Sequence, residues 1–351
     1  MNNTQRILAL SQGKALPQEE LCVLLDTCTA QDRAYAAAEA RKTADQYYGK
    51  KIYFRGLIEF TNYCKNNCYY CGIQAGNKKV SRYRMTPEVI YECCQWGYEA
   101  GFRTFVLQGG EDPFFTDEKV AELVKTIKNR YPDCAVTLSI GEKSKGSYQR
   151  YFDAGADRYL LRHETACPVH YGKLHPSQQT LENRMRCLRD LKEIGFQTGC
   201  GMMVGSPWQT SRELAMDLLF IQEFQPQMVG IGPFIPHHDT RFKDFPPGTL
   251  TDTLFLLSLI RLIQPRVLLP ATTALGTIAS DGREQGILAG ANVVMPNISP
   301  MELRKNYLLY DNKIGTRDDA SESQRRLQES IEAIGYQVVT DRGDYLWEDK
   351  V

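Results

Sequence analysis

From Ile52 onward the chain alternates short apolar or β-branched runs with helical segments that start at Ser, Thr or Asp, and this alternation limits the fold more than any other feature. The expected strands are Ile52–Phe60, Thr104–Gly109, Ala135–Gly141, Arg158–Thr165, Gln197–Gly205, Met228–Ile235, Arg266–Thr273 and Asn292–Met295. Between them lie expected helices at Pro87–Ala100, Asp117–Tyr131, Leu181–Ile194, Glu213–Phe224, Asp252–Ile263 and Arg283–Ala289. Strand and helix in strict alternation imply parallel strands joined by crossover helices. Eight such units over about 250 residues fit a closed (β/α)8 barrel, a TIM-type α/β fold, better than an open sheet. The first fifty residues read as helices, at Pro17–Leu25 and Gln31–Tyr48. After Asn297 the pattern gives way to a helix near Ser299–Tyr310, a charged stretch Asp311–Glu322 and a last helix Gln324–Ile334. The predicted organisation is an N-terminal helical extension 1–50, a barrel 51–298 and a C-terminal helical extension 299–351, with no low-complexity linker.

Lysine plus arginine equal aspartate plus glutamate at 42 each, so the whole-chain charge provides no field for nucleic acid or an acidic membrane. The N-terminus has no apolar signal region, and the longest apolar run, Leu254 to Ile263, is broken by Arg261. Eleven cysteines, an odd number without an export signal, point to a reducing cytoplasm rather than a disulfide framework.

Three of those cysteines, Cys64, Cys68 and Cys71, form a CxxxCxxC run directly after the first strand. A barrel carries its chemistry on the loops at the carboxyl ends of its strands, so this loop lies on the active face. Three thiolates on one short loop hold three irons of a four-iron cluster and leave the fourth iron open to a ligand. The competing readings are a structural zinc knuckle and three buried thiols; zinc wants a fourth protein ligand, and none follows at the usual spacing. The second strand ends in Gly109-Gly110-Glu111, where paired glycines let a backbone approach a ligand closely. On the fourth strand, alternation puts Arg158, Leu160, Arg162 and Glu164 on one face. Charges facing inward require a polar cavity, in which an arginine fork suits an anion and Glu164 suits a ribose or ammonium group; the alternative is a private Arg–Glu pair. Thr137 and Ser139 alternate together on the third strand, and Thr272 and Thr273 end the seventh. Arg184 is by its position a solvated surface charge. Adjacent histidines His237 and His238 on an extended chain point opposite ways, which argues against one shared ion.

The cysteine loop, with the aromatic Tyr70 just before its last cysteine, and the GGE segment resemble the radical S-adenosylmethionine (SAM) enzymes. Arg158-Tyr-Leu-Leu-Arg-His-Glu-Thr165, Met228-Val-Gly-Ile-Gly-Pro-Phe-Ile-Pro236, Pro270-Ala-Thr-Thr-Ala-Leu-Gly-Thr277 and Gly290-Ala-Asn-Val-Val-Met-Pro-Asn297 resemble the HydE branch of that superfamily, the maturases of FeFe-hydrogenase, from about residue 50 to 310. The resemblance implies one 4Fe–4S cluster on Cys64, Cys68 and Cys71. It implies SAM held by Tyr70, Gly109, Gly110, Glu111, Ser139, Glu164 and Arg184. It also implies a substrate cavity lined by Thr137, Arg158, Arg162, Thr272, Thr273, Met295, Tyr307 and Tyr310. The implied reaction is reductive SAM cleavage to an adenosyl radical that acts on a small cysteine-containing iron precursor of the hydrogenase cofactor, with companion maturases and a low-potential electron donor as partners. Some members carry C-terminal cysteines for an auxiliary cluster; this chain has none after Cys200. The rivals are a methylornithine synthase-like or biotin synthase-like enzyme and, in a different class, a non-catalytic iron–sulfur carrier.

Overall fold

The computed structural model describes residues 1–316 and 319–347. Three helices come first, α1 (Asn3–Ser11), α2 (Gln18–Thr27) and α3 (Ala30–Tyr48). Asn2 with Gln5, and Thr29 with Asp32, form reciprocal capping boxes that satisfy free N–H groups at the starts of α1 and α3. The strands that follow are β1 (Lys51–Phe54), β2 (Gly56–Thr61), β3 (Thr104–Gly109), β4 (Ala135–Ser139), β5 (Arg158–Leu160), β6 (Gln197–Cys200), β7 (Met203–Val204), β8 (Met228–Val229), β9 (Gly232–Pro233) and β10 (Val293–Val294). Among them run α4 (Pro87–Glu99), α5 (Asp117–Arg130), α6 (Lys145–Asp153), α7 (Pro168–Leu174), α8 (Leu181–Ile194), α9 (Ser211–Phe224), α10 (Leu250–Ile263), α11 (Thr273–Ile278) and α12 (Gly282–Leu288).

The ladder runs β2-β3-β4-β5-β6-β8, all parallel. Single parallel bridges, Met228 to Leu268 and Pro270 to Val293, carry it onward to β10, which pairs with β1; Leu57 to Asn297 then closes the ring. The expected barrel is therefore present, with one difference. Its seventh run, Arg266–Thr273, makes bridges and no ladder, because Pro270 has no N–H to donate. Alternation sends Phe105 and Leu107, Val136 and Leu138, and Tyr159 and Leu161 outward into one core shared with the helices. The N-terminal helices join that core: Ala36, Ala40 and Ala44 repeat every fourth residue on the buried face of α3, which packs on the almost wholly apolar α10.

Two features differ from expectation after Asn297. The helix expected over Ser299–Tyr310 is only one turn, α13 (Met301–Arg304). Beyond it the backbone serves tertiary partners: Leu309 O accepts from Gly72 N–H, and Asn306 O accepts from Asn62 Nδ2. This segment therefore folds back over the barrel mouth. After α14 (Ala320–Ala333), a short β11 (Gln337–Val339) pairs parallel with β1 at the other end of the barrel. The chain then crosses the barrel floor. There the Arg158 guanidinium, fully buried, donates to Thr104 Oγ1 at 2.9 Å, Arg342 O at 2.8 Å and Asp344 Oδ1 at 2.6 Å. Gly343 sits so close to the Tyr53 ring, at φ 59°, that no side chain would fit.

Candidate functional site

The upper half of the barrel differs from the floor in being incompletely filled. Gln108, Ser139, Leu160, Arg162, Thr272, Met295 and Asn297 alternate inward yet remain partly accessible, which marks a lumen. Several buried polar atoms there have no hydrogen-bond partner, among them Arg162 Nε, Glu164 Oε2 and Thr272 Oγ1. An unmade hydrogen bond at such an atom costs about 1–3 kcal/mol, so a set of them in one cavity is the imprint of a polar ligand.

The cysteine loop caps this lumen. Gly110 lies against it so tightly that a Cβ would collide with the Tyr63 carbonyl and Cys64 Cβ, and Glu111 O accepts from Lys65 N at 2.9 Å. The glycine pair expected after β3 is thus needed first to seat the cysteines. Burial pushes the Cys68 thiol up to about 11 and the Cys71 thiol well above its ordinary value; bound iron reverses that by taking the proton's place. Among the described residues, the only His/Cys/Asp/Glu triad within 4.8 Å is His237, His238 and Asp239. Three thiols on one short loop suit three irons of a four-iron cluster and leave the fourth iron open.

Neighbours fix each side chain around the loop. His175, held near pKa 3 by burial and then by Arg184, stays neutral; its Nδ1 faces Tyr171 O at 3.1 Å and its Nε2 meets Tyr70 OH at 3.2 Å. With Nδ1–H donated to the carbonyl, Nε2 accepts the Tyr70 proton. Arg184, on α8, is buried and not a solvated surface charge: its Nε donates to Glu142 Oε1 at 2.6 Å and its Nη1 to Arg162 O. Glu111 is committed on both oxygens, accepting from Glu142 N at 2.9 Å and lying 3.3 Å from Lys65 Nζ. Glu164 has φ 66°, a left-handed conformation that is costly for a residue with a side chain. Its neighbour His163 holds it there. Gly201 N–H donates to His163 Nδ1 at 3.2 Å, so Nε2 carries the proton toward Asp217 Oδ1, also 3.2 Å away. Both His163 and Asp217 are fully buried.

Of the residues expected to line a substrate cavity, Arg162, Thr272, Thr273, Tyr307 and Tyr310 gather at the mouth side. Arg162 Nη2 lies 3.3 Å from Glu164 Oε2, and Thr273 Oγ1 lies 3.5 Å from Arg283 Nη2. Tyr307 is buried beside Gln108, and Tyr310 stands near Thr277, Arg283 and Arg162, its hydroxyl pushed up to about 12 chiefly by burial. Arg158 is a correction: all three of its donor nitrogens are engaged on the floor, because the first residue of β5 lies at the strand's N-terminal end. Thr137 pairs in register with Arg158 at that deep level. Met295 packs against an apolar collar of Met228, Leu268 and Val293. The histidine pair also differs from expectation: the rings stack, centroids 4.4 Å apart, because residues 237–240 form a turn and not an extended run. Its ring nitrogens are committed: His237 Nδ1 accepts from Asp239 N–H at 3.1 Å, and His238 Nδ1 faces Asp311 Oδ1 at 2.7 Å.

Sequence reasoning missed Glu142, His175, the His163–Asp217 pair and a buried ion pair between Glu59 and Lys313. Glu59 also accepts from Asn297 Nδ2 at 2.7 Å, and Lys313 donates to Tyr307 O at 3.0 Å. The one available signal was the inward parity of Glu59 on the first strand.

Barrel and cysteine loop together define a radical SAM protein, and residues 58–221 match the family model described as Radical SAM superfamily. Over 296 residues the chain is 47% identical to the [FeFe] hydrogenase maturase subunit HydE of Thermotoga maritima, covering 83% of this chain and 84% of that one. The chain belongs to the HydE family of radical SAM enzymes, and its cofactors are a 4Fe–4S cluster and SAM. It is also 29% identical to 3-methylornithine synthase of Methanosarcina barkeri, over 90% of each chain. A solved methylornithine synthase (PylB) superposes with a TM-score of 0.84 at 26% identity, covering 95% of this chain and 97% of that one. Among the described residues no helix is long and apolar enough to cross a membrane.

Proposed function

We propose that this chain is a maturase of FeFe-hydrogenase that cleaves SAM reductively and turns the adenosyl radical on a small, cysteine-containing iron precursor. The observation that carries the reading is the 47% identity to a HydE maturase across 83% of the chain. A 4Fe–4S cluster held by Cys64, Cys68 and Cys71 would supply the electron for reductive cleavage of SAM.

The chain's own residues bind and orient. Cys64, Cys68 and Cys71 hold the cluster. Tyr70, its hydroxyl turned toward His175, and the Gly109–Glu111 backbone and Ser139 border SAM. Glu164, fixed by His163 and Asp217, takes the ribose hydroxyls or the ammonium group, and Arg184 takes the carboxylate. Glu142 already neutralises Arg184 in part, so that contact is shared. On the mouth side of the lumen, Arg162 offers an unpaired Nε to an anionic group of the substrate, with Thr272, Thr273, Tyr307 and Tyr310 on the same side and Met295 and Thr137 below. Lys313 and Glu59 tie the returning C-terminal segment across that mouth and limit water entry. Companion maturases and a low-potential electron donor are the partners, in the cytoplasm.

The test is anaerobic reconstitution, reduction with dithionite, detection of 5′-deoxyadenosine, and then hydrogenase maturation in vitro. Deoxyadenosine without maturation, together with formation of 3-methylornithine, favours the second reading, which rests on the likeness to 3-methylornithine synthase across 90% of the chain. No deoxyadenosine from a reducible cluster removes both and leaves the carrier.

A further inference from the structure

Reductive cleavage consumes an electron that the chain must receive from outside, and one face of the molecule is built differently from the rest. Between Phe60 and Pro87 there are five basic residues, Lys65, Lys78, Lys79, Arg82 and Arg84, and no aspartate or glutamate, in a chain of balanced total charge. Two of the five serve the fold. Arg82 donates to the carbonyls of Asn62, Ile73, Gln74 and Asn77, and Arg84 pairs with Asp112 at 2.7 Å. Lys65, Lys78 and Lys79 are exposed.

Other barrel loops bring three more exposed bases to the same place. Lys173 comes from α7, and Arg241 and Lys243 from the turn after β9. Tyr69 N–H, in the cysteine loop, donates to Leu174 O at 3.0 Å, and the Arg241 guanidinium lies 4.0 Å over the Tyr69 ring. In those loops the acids are Asp239, paired with Lys79 at 2.7 Å, and Asp244.

Trp208 stands among these bases. It is 49% exposed and has φ 64°, rare and strained for a bulky side chain. Phe242 and Phe245 brace its ring at 5.6 and 5.0 Å, and Lys173 lies 5.7 Å above it. Val169 beside Lys173's helix start is 71% exposed. A rigid tryptophan among cations is the composition of an interface centre, and it is wasted on water.

We propose that this surface over the cysteine loop docks an acidic one-electron carrier protein. The inference rests on the radical SAM reading above and adds where the electron enters. One electron leaves the carrier, oxidising it by one, and passes inward through the cysteine loop. The carbon–sulfur cleavage uses that electron and releases methionine, so one reduced carrier is spent per SAM. The positive surface attracts the carrier and sets the encounter rate, and Trp208 supplies the apolar contact.

The experiment compares two reductants on reconstituted full-length enzyme, dithionite and a reduced acidic bacterial ferredoxin, with deoxyadenosine as readout. In the triple variant Lys173→Glu, Arg241→Glu, Lys243→Glu, the ferredoxin-driven rate at low salt is expected to fall about tenfold or more, with the dithionite-driven rate unchanged. Trp208→Ala is expected to slow only the ferredoxin-driven reaction. Added salt is expected to slow the wild type toward the variant. An unchanged ferredoxin-driven rate overturns the proposal, as does an equal fall with both reductants. Intact ferredoxin-driven cleavage with lost maturation overturns it too, by giving the surface to a companion maturase. No deoxyadenosine from wild-type enzyme with dithionite fails the underlying radical SAM reading instead.

Discussion

Arg158 opens β5 and Arg162 lies two residues past its end, and the two do opposite things. At the floor, each of the three donor nitrogens of Arg158 is met, by Thr104, Gln197, Asp344 and the Arg342 carbonyl, and the side chain is fully buried. Near the mouth, Arg162 is 34% exposed at its side chain, faces Glu164 at 3.3 Å, and leaves Nε without a partner. A saturated buried cation is a strut; an unsaturated one beside a cavity is a receptor. The two ends of the barrel differ in the same way, because Arg342 and Asp344 fill the floor whereas the segment that crosses the mouth leaves a lumen beneath it.

The strongest test of the open end removes its metal ligands. Replacement of Cys64, Cys68 or Cys71 by alanine is expected to abolish both the iron–sulfur absorption of reconstituted protein and deoxyadenosine formation, with thermal unfolding of the iron-free chain close to wild type. Retention of a full cluster after loss of one thiol would break the assignment.

The arginines themselves come next. Arg162→Ala is expected to weaken substrate use about tenfold to hundredfold while changing stability by less than about 1 kcal/mol. Arg158→Ala is expected to cost about 3 kcal/mol of stability, since it strands Thr104, Gln197 and the Asp344 carboxylate. Denaturant unfolding together with maturation assays separates the two, and equal effects at both positions would erase the contrast. A smaller effect follows from Asp217→Asn, which takes the charge from behind His163 and loosens the strained Glu164. SAM binding measured by calorimetry should weaken about tenfold with the cluster spectrum intact. Unaltered binding would reduce the pair to packing.

Acid should loosen the floor. Burial raises the Asp344 carboxyl, but Arg158 and Arg342 more than reverse this and hold it well below the ordinary carboxylate range. A depressed carboxylate adds stability above its unfolded value of about 4 and loses it as pH falls toward the folded value. Because Asp344 is 39% exposed at its side chain, the contribution is at most about 1 kcal/mol after solvent screening. Melting temperatures from pH 5 down to pH 3 should therefore fall slightly more steeply for wild type than for Asp344→Asn.

Much of this was legible because it is written locally. Strand and helix periodicity and the spacing of Cys64, Cys68 and Cys71 are properties of neighbouring residues, and both stand in the fold, whereas the strand expected over Arg158–Thr165 is β5 only over Arg158–Leu160 and its alternation is lost at the left-handed Glu164. The β3 run at Thr104–Gly109 and the helix at Leu181–Ile194 match to the residue. What failed depended on distant chain. Parity tells which face a side chain occupies but not how high in the barrel it stands, so Arg158 read as a cavity residue until Asp344, 186 positions away, came to meet it. Arg184 read as a surface charge because its partner Glu142 lies on another loop.

The sequence by itself determined the parallel eight-unit barrel, the three-thiol loop at its active face and the chemistry such a loop supports, because apolar periodicity and ligand spacing act within a few residues. Only the tertiary structure decided which charges are struts and which are open. It did so through the returning C-terminal chain, which spends Lys313 on Glu59 at the mouth and Asp344 on Arg158 at the floor. A buried charge takes its role from the partner that reaches it, and that partner comes from folding the whole chain.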